Sequence, residues 1–526
     1  MTNKTLILAL AVYILVYMPG CKKNEPADNQ ITGEVTHLAQ KATFSESEAI
    51  EPTAISWSNA QGQPVATHEV HGEAVNNKLY IFGGFDVNKR PDTWTPTKRA
   101  YVYDPVTNKW SAIKSLPYTP NGDGFGGATH MGVTTDGSAI YFAGGYTSNS
   151  TGKGQVFGTN QVYKYDVSTD SYTKLPNLPQ PLAAGQLRYL NGKLHYMGGA
   201  NLSRQDVNVH YVLDVNQVAQ GWQTAAPLLD AVNHPGSAVL NGKIYFIGGA
   251  HHQDNETETQ KMLQVYTPET DSWQRLADMP VSVDHVSSSV ITLGKRILVL
   301  GGETSHNVLS KAVQVYSPES NTWSQLTPLP SARSAGVAAV LNGTIYYTGG
   351  NFSTINRMGV PYIELLPTDD AFVRAGAFAA LNYGLDSNLT VKGAANKDYD
   401  RKAYLKFDLT GVNNVVSAKL VLNGYNADNN TTIALSCYAV PDENWTEKTI
   451  NFNTAPAAVT PSLSSAMVSN QPANIELDVT KYVSANIQSK KVMSFLVKDA
   501  LGKNVTLQFK SKEGKLNRPR LVIKYN

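Results

Sequence analysis

The chain has 526 residues, 42% of them apolar and only 16% charged, against roughly 25% charged in an average soluble protein, so wholesale disorder and long charged coiled coils do not fit. Its 44 Lys and Arg against 42 Asp and Glu leave a net charge of +2, which excludes the basic excess that nucleic-acid binding draws on. Two cysteines, Cys21 and Cys437, provide neither a disulfide framework nor a four-cysteine zinc site.

The first element is an export signal. Lys4 precedes an uncharged apolar run at residues 6–17, and Met18-Pro19-Gly20-Cys21 follows, so residues 1–20 read as a signal peptide too short to span a bilayer. A small residue directly before a lone cysteine, with Lys22-Lys23-Asn24 after it, resembles a bacterial lipoprotein signal. That resemblance implies a lipid on Cys21 and an exported protein held by this anchor in a cell envelope, at the outer membrane or cell surface, facing the periplasm or the outside. Residues 21–50 are polar and read as a tether.

A Gly-Gly pair then ends a short apolar run six times: KLYIFGG, AIYFAGG, KLHYMGG, KIYFIGG, RILVLGG and TIYYTGG, starting their pairs at Gly83, Gly144, Gly198, Gly248, Gly301 and Gly349. The intervals of 61, 54, 50, 53 and 48 residues are those of four-stranded propeller blades. A strand, a polar turn and an aromatic follow most pairs, at Trp110, Tyr172, Trp273 and Trp323, each with a proline seven residues on. Trp57 has Pro64 at the same offset but no Gly-Gly strand before it, and the sixth pair has no Trp after it. The two gaps complement each other, which assigns Trp57 to the outer strand of the sixth blade and closes the ring. Blade three departs from the pattern, with Pro227 only five residues after Trp222. Over residues 51–363 the sequence resembles the kelch family, which implies a six-bladed β-propeller.

From about residue 366 the rhythm changes to alternating strands such as AYLKFDL, AKLVLNGY and RPRLVIKY. DDAFVRAG, DRKAYLKFDL, ENWTEKTINFNTAP, LDVTKYV and FKSKEG together resemble the DNRLRE domain, also called carbohydrate-binding module family 96. The resemblance covers residues 366–526 and implies a jelly-roll-like β-sandwich that binds polysaccharide. The overall fold expected is therefore all-β. From Asp369 onward there are 19 Lys or Arg against 14 Asp or Glu, a balance that favours anionic polymers. Arg374, Tyr383, Tyr399, Arg401, Lys510 and Lys512 are candidate contacts, since aromatics stack on sugar faces and guanidinium pairs with carboxylate. Trp445 and Tyr404 sit in strand patterns and are expected in the core.

The kelch topology brings the start of each first strand and the end of each second strand to one mouth of the channel. Candidate ligand residues there are His71, His130, Arg188, His234, His251, His285, Glu303 and Arg333, and eight of the eleven histidines fall at such positions. Histidine titrates and ligates near neutral pH, while a polar residue opening a strand can equally cap the blade. No catalytic residue, cofactor or metal is assigned from spacing. Residues 51–363 contain no cysteine, which excludes the cysteine-tyrosine crosslink of copper radical oxidases. The reading is an exported lipoprotein that binds carbohydrate through its C-terminal module and carries a ligand-binding propeller. Two alternatives stand beside it: a kelch-type sugar-processing enzyme similar to sialic-acid mutarotases or acting on a polysaccharide, and a scaffold with a protein partner at the mouth.

Overall fold

Each Gly-Gly pair closes the second strand of a four-stranded antiparallel sheet, because both glycines take positive φ angles, as at Gly83 (63°) and Gly84 (86°), where a side chain is strained. At Gly83 a Cβ would also stand 2.0 Å from the Ala128 carbonyl of the next blade. The computed structural model describes residues 51–525 apart from 90–93, 123–124 and 253–256. Residues 1–50, on which the expected signal peptide, tether and lipidated Cys21 fall, lie outside the described residues.

The described residues form six such blades. The first runs His71–Val75, Lys78–Phe82, Ala100–Asp104 and Lys109–Ala112, and the next four begin with Gly132–Thr135, Gln186–Leu190, Gly236–Leu240 and Val290–Leu293. The sixth combines Gly336–Leu341, Thr344–Gly349 and Asn356–Leu365 with the N-terminal Ala54–Ala60, in which Trp57 pairs with Gly359. Apolar clusters fill the spaces between neighbouring blades. Leu79 and Ile81 of the first blade, for example, pack with Val337 and Leu341 of the sixth, burial that stabilises by roughly 1.5 to 3 kcal/mol per large side chain. The irregularity read in blade three is a rim strand of only two residues, Gln223–Thr224.

The C-terminal region is a β-sandwich whose two layers are joined along one edge by the pairing of Asn388–Lys392 with Thr506–Lys510. One layer is built on Val415–Asn426, the other on Arg401–Asp408. Leu405, Phe407, Leu420, Leu422, Phe495 and Leu507 share the core between them. Tyr404 and Trp445 are buried in a second cluster on the outer side, as expected of both, although only Tyr404 lies in a strand, Trp445 standing in the loop after Ile433–Val440.

No linker separates the two regions at residues 363–366. Asn356–Leu365 is one strand that leaves the sixth blade and pairs through Ile363, Glu364 and Leu365 with Ile523, Val522 and Leu521 of the sandwich. Alternation of apolar residues continues through this point because both ends are paired, so no loop composition marks a linker. Glu364 and Arg520 add an ion pair at 3.2 Å.

Candidate functional site

One residue of each blade, shortly before the first strand, has a left-handed backbone: Glu69, His130, Ala184, His234, His285 and Ala335, with φ between 50° and 56°. Three backbone hydrogen bonds tie successive members together, from Ala184 N to His130 O, His234 N to Ala184 O and Ala335 N to His285 O, at 2.8 to 2.9 Å. The two alanines are three blades apart. Into the space they leave, the side chains of Glu69, His130, His234 and His285 converge on the axis.

Glu69 Oε2 lies 2.6 Å from His130 Nε2, and Glu69 Oε1 lies 3.4 Å from His285 Nε2. His285 Nδ1 is 2.8 Å from Asp284 Oδ1, and the His234 and His285 rings stack at 4.2 Å. Burial opposes ionisation of Glu69, but the charge of His130 and hydrogen bonds from His130 and His285 hold its carboxyl well below the usual range. Burial would lower His285 too, yet its bonds to Asp284 and Glu69 hold it well above the ordinary imidazole value. Burial, with the neighbouring imidazoles, keeps His234 well below it. The cluster therefore sorts into a carboxylate, an imidazolium and a neutral imidazole side by side.

A cavity of about 410 Å³ opens above this cluster. Its floor includes Glu69, His130, His285 and Glu303, and its walls include Trp94, Tyr146, Phe157 and Arg204. Tyr146 stacks on His130 at 4.0 Å, and the Arg204 guanidinium covers the Phe157 ring at 4.6 Å. Glu303 accepts from Ser334 Oγ at 2.9 Å and the Asn307 N–H at 2.8 Å. Aromatic walls over a charged floor suit a polar ligand with an apolar face.

The structure separates the candidates that the sequence grouped at the mouth. His130 and His285 line both the large cavity and a small void beside it, Glu303 lines only the former, and His71 and His234 line only the latter. Burial drives His71 down to about 3, so it stays neutral. Arg188 lies farther down the channel in a separate 320 Å³ cavity. There it pairs with Glu73 at 2.8 Å and donates to the Val133 and Ser237 carbonyls. His251 pairs with Asp230 at 2.9 Å, and neither it nor Arg333 lines these cavities. The physical reason is the strand itself: a step of two residues keeps the side chain on the axis but moves it about 6.6 Å down the channel. Trp94, Phe157 and Arg204 were missed, and Glu69 was legible only as one of several mouth carboxylates without an assigned role. Glu69 occupies the same repeat position as His130, 61 residues earlier, and aligning the blades on that position exposes it.

On the sandwich, Arg374 and Arg401 stand opposite each other on paired strands, and neither has an ion-pair partner among the described residues. Burial and the charge of Arg374 both lower the Arg401 pKa. Arg374 lies over the Phe378 ring at 3.7 Å, and Phe378 and Tyr399 are 38% and 51% exposed. The loops bearing these two rings touch, since a Cβ on Gly376 would meet the Asp398 carbonyl at 2.5 Å. Tyr383 instead stacks against Phe372 at 4.4 Å and packs against the core. Lys510 reaches Asn388 Oδ1 at 3.4 Å. Lys512 is held by Glu447 and Glu513 at 2.9 and 2.8 Å.

A propeller with a closed, charged axis is thus joined in one strand to a sandwich carrying an uncompensated arginine pair between exposed rings. Residues 67–117 match the Kelch motif and residues 130–350 the KLHDC2/KLHL20/DRC7 Kelch-repeats domain. Residues 361–525 match Carbohydrate-binding module family 96. The chain carries kelch repeats followed by a family 96 module. It is similar to Kelch-like protein terF of Aspergillus terreus, 28% identical over 247 residues, 47% of this chain and 52% of that protein. Kelch-like protein 15 of Danio rerio is 25% identical over 262 residues, 47% of this chain and 40% of that one. Gellan lyase of a Bacillus species is 29% identical over 197 residues, 36% of this chain and 8% of the lyase. The chain thus spans about half or less of these relatives' own lengths. Among solved structures, that of YjhT aligns with a TM-score of 0.47 at 17% identity, covering 58% of this chain and 97% of that one.

Proposed function

We propose that this protein binds an anionic polysaccharide through its C-terminal module, with Arg374 and Arg401 meeting carboxylates and Phe378 and Tyr399 stacking on sugar rings. The observation that carries the reading is the pair of facing arginines without acidic partners, flanked by exposed aromatics, in a region matching a carbohydrate-binding family. Two guanidiniums side by side repel, and an anionic ligand relieves that repulsion. The likeness to a gellan lyase supports a polysaccharide setting. In this reading the signal at residues 1–20 exports the protein, a lipid on Cys21 holds it at a bacterial envelope, and the propeller mouth takes a second ligand. Affinity electrophoresis of the protein in gels containing alginate, pectate or a neutral glucan tests it. Retardation by the acidic gels is expected, and retardation by the neutral glucan alone overturns the arginine assignment.

A second reading, a protein-interaction role for the propeller, is favoured by exposed apolar residues on the mouth loops, with Trp94 39% and Val308 53% exposed. A cross-linked partner lost on replacing both residues by Ser supports that role.

A further inference from the structure

Glu69, His130 and His234 each offer a ligand atom within 4.8 Å of the other two, at a point where blades one, two and four meet the axis. One carboxylate and two imidazoles are a donor set for divalent first-row metals, and zinc enzymes use it with an open fourth position. Five further observations support such a site. His234 Nδ1 is 2.6 Å from Asn233 Oδ1, and the Asn233 amide nitrogen donates to Asp206. That fixes the amide's orientation and makes Nε2 the basic nitrogen of His234. A second bond of this kind, made by the ring nitrogen that does not ligate, is what holds metal-binding histidines in place.

His130 Nδ1 is buried without a hydrogen-bond partner, so this ring is not fully served by the cluster of protein groups alone. All three residues hang from left-handed backbone held by a neighbouring blade, His130 and His234 through Ala184 and Glu69 through the Thr129 hydroxyl, which donates to its carbonyl at 2.8 Å, so their positions exist before any ligand arrives. The 410 Å³ cavity is lined by both Glu69 and His130, which provides entry and room for a water or substrate atom at the open position. His285 stacks flat on His234 and is engaged by Asp284 and Glu69, which places it beside the donor set as a hydrogen-bonding neighbour.

We infer that Glu69, His130 and His234 form a binding site for a divalent transition metal of the zinc class, open toward the mouth cavity. A metal bound there would draw on the close approach of His130 and Glu69, whose Nε2 and Oε2 atoms already lie 2.6 Å apart. The site is independent of glycan binding by the sandwich.

Titration calorimetry with Zn2+ on tag-free, chelator-treated protein tests the inference. One equivalent is expected to bind saturably. His234→Asn keeps a residue that tolerates left-handed backbone, and Glu69→Gln keeps the shape; each should weaken binding at least about 100-fold, while Asn233→Ala should weaken it about 10- to 100-fold. His251→Ala, outside the cluster, should leave it unchanged. Thermal melts identify which variants fold. Absence of saturable zinc binding, or affinity within about twofold of wild type in whichever of His234→Asn and Glu69→Gln is folded, overturns the site.

Discussion

The indole Nε1 of Trp57 donates to the carbonyl of Thr327 at 3.2 Å, across 270 positions of sequence. The same contact recurs around the ring, from Trp110 to Gln61, Trp222 to Pro176, Trp273 to Ala226 and Trp323 to Ala277, at 2.8 to 2.9 Å. In blade two the Tyr172 hydroxyl donates to Lys114 instead. Each rim aromatic thus fastens its blade to the one before: Trp57 ties the N-terminal strand of blade six to blade five, and Trp110, through Gln61, ties blade one to blade six.

Removal of residues 51–60 should therefore destabilise far more than removal of residues 22–45. Trp57→Ala alone should cost about 3 kcal/mol, the lower end for a large aromatic because the ring is half-buried. Equal denaturant midpoints for the two truncations would contradict closure by this strand.

Arg374→Ala and Arg401→Ala should each weaken binding to an acidic glycan by about 1.5 kcal/mol, roughly tenfold, with further weakening as salt rises. Isothermal titration at two ionic strengths measures both effects. Salt-independent binding would mean that the arginines meet no carboxylate.

Arg188 and Glu73 form an ion pair inside the channel, where burial raises the Glu73 pKa against the pull of Arg188. Arg188→Met should cost about 3 to 5 kcal/mol by leaving Glu73 without its counter-charge. Adding Glu73→Gln should recover part of the loss. Urea unfolding of the single and double variants decides the matter, and a double variant weaker than Arg188→Met would refute the explanation.

Asp370 is 1% exposed, and burial pushes its carboxyl up to about 8, against the backbone N–H of Lys512. An unfolded Asp titrates near 3.9, so between these values the folded state holds a proton that the unfolded state has lost. The contribution is complete below about pH 4 and disappears as pH rises through about 8, with a slope of at most about 1.4 kcal/mol per pH unit. Asp370→Asn should flatten the fall in melting temperature between pH 5 and 8.5. An unchanged profile would assign the fall to another group.

Six blades and the role of Trp57 were legible because glycine pairs and rim aromatics recur for steric reasons that do not depend on ligand. The sandwich was legible from its strand alternation and motif order. The mouth was read less well. His71 and Arg188 follow the same pattern as His130, yet a two-residue offset along a strand places them at different depths. Trp94, Phe157 and Arg204 come from mouth loops of no fixed spacing, so no repeat position points to them. Lys512 has the composition of a glycan contact, but its ammonium is committed to Glu447 and Glu513, which only tertiary structure reveals.

The strand Asn356–Leu365 belongs to both the last blade and the sandwich, and under the proposed reading this gives the protein two binding sites held in a fixed relation. Two sites on a flexible tether must be ordered anew each time a polymer occupies both. Here a ladder of backbone hydrogen bonds sets their relation when the chain folds. If one glycan strand occupies both the proposed arginine site and the mouth, it meets the second at an effective concentration set by its own stiffness, and glycan chain length, more than abundance, is then expected to govern how tightly the whole molecule holds on.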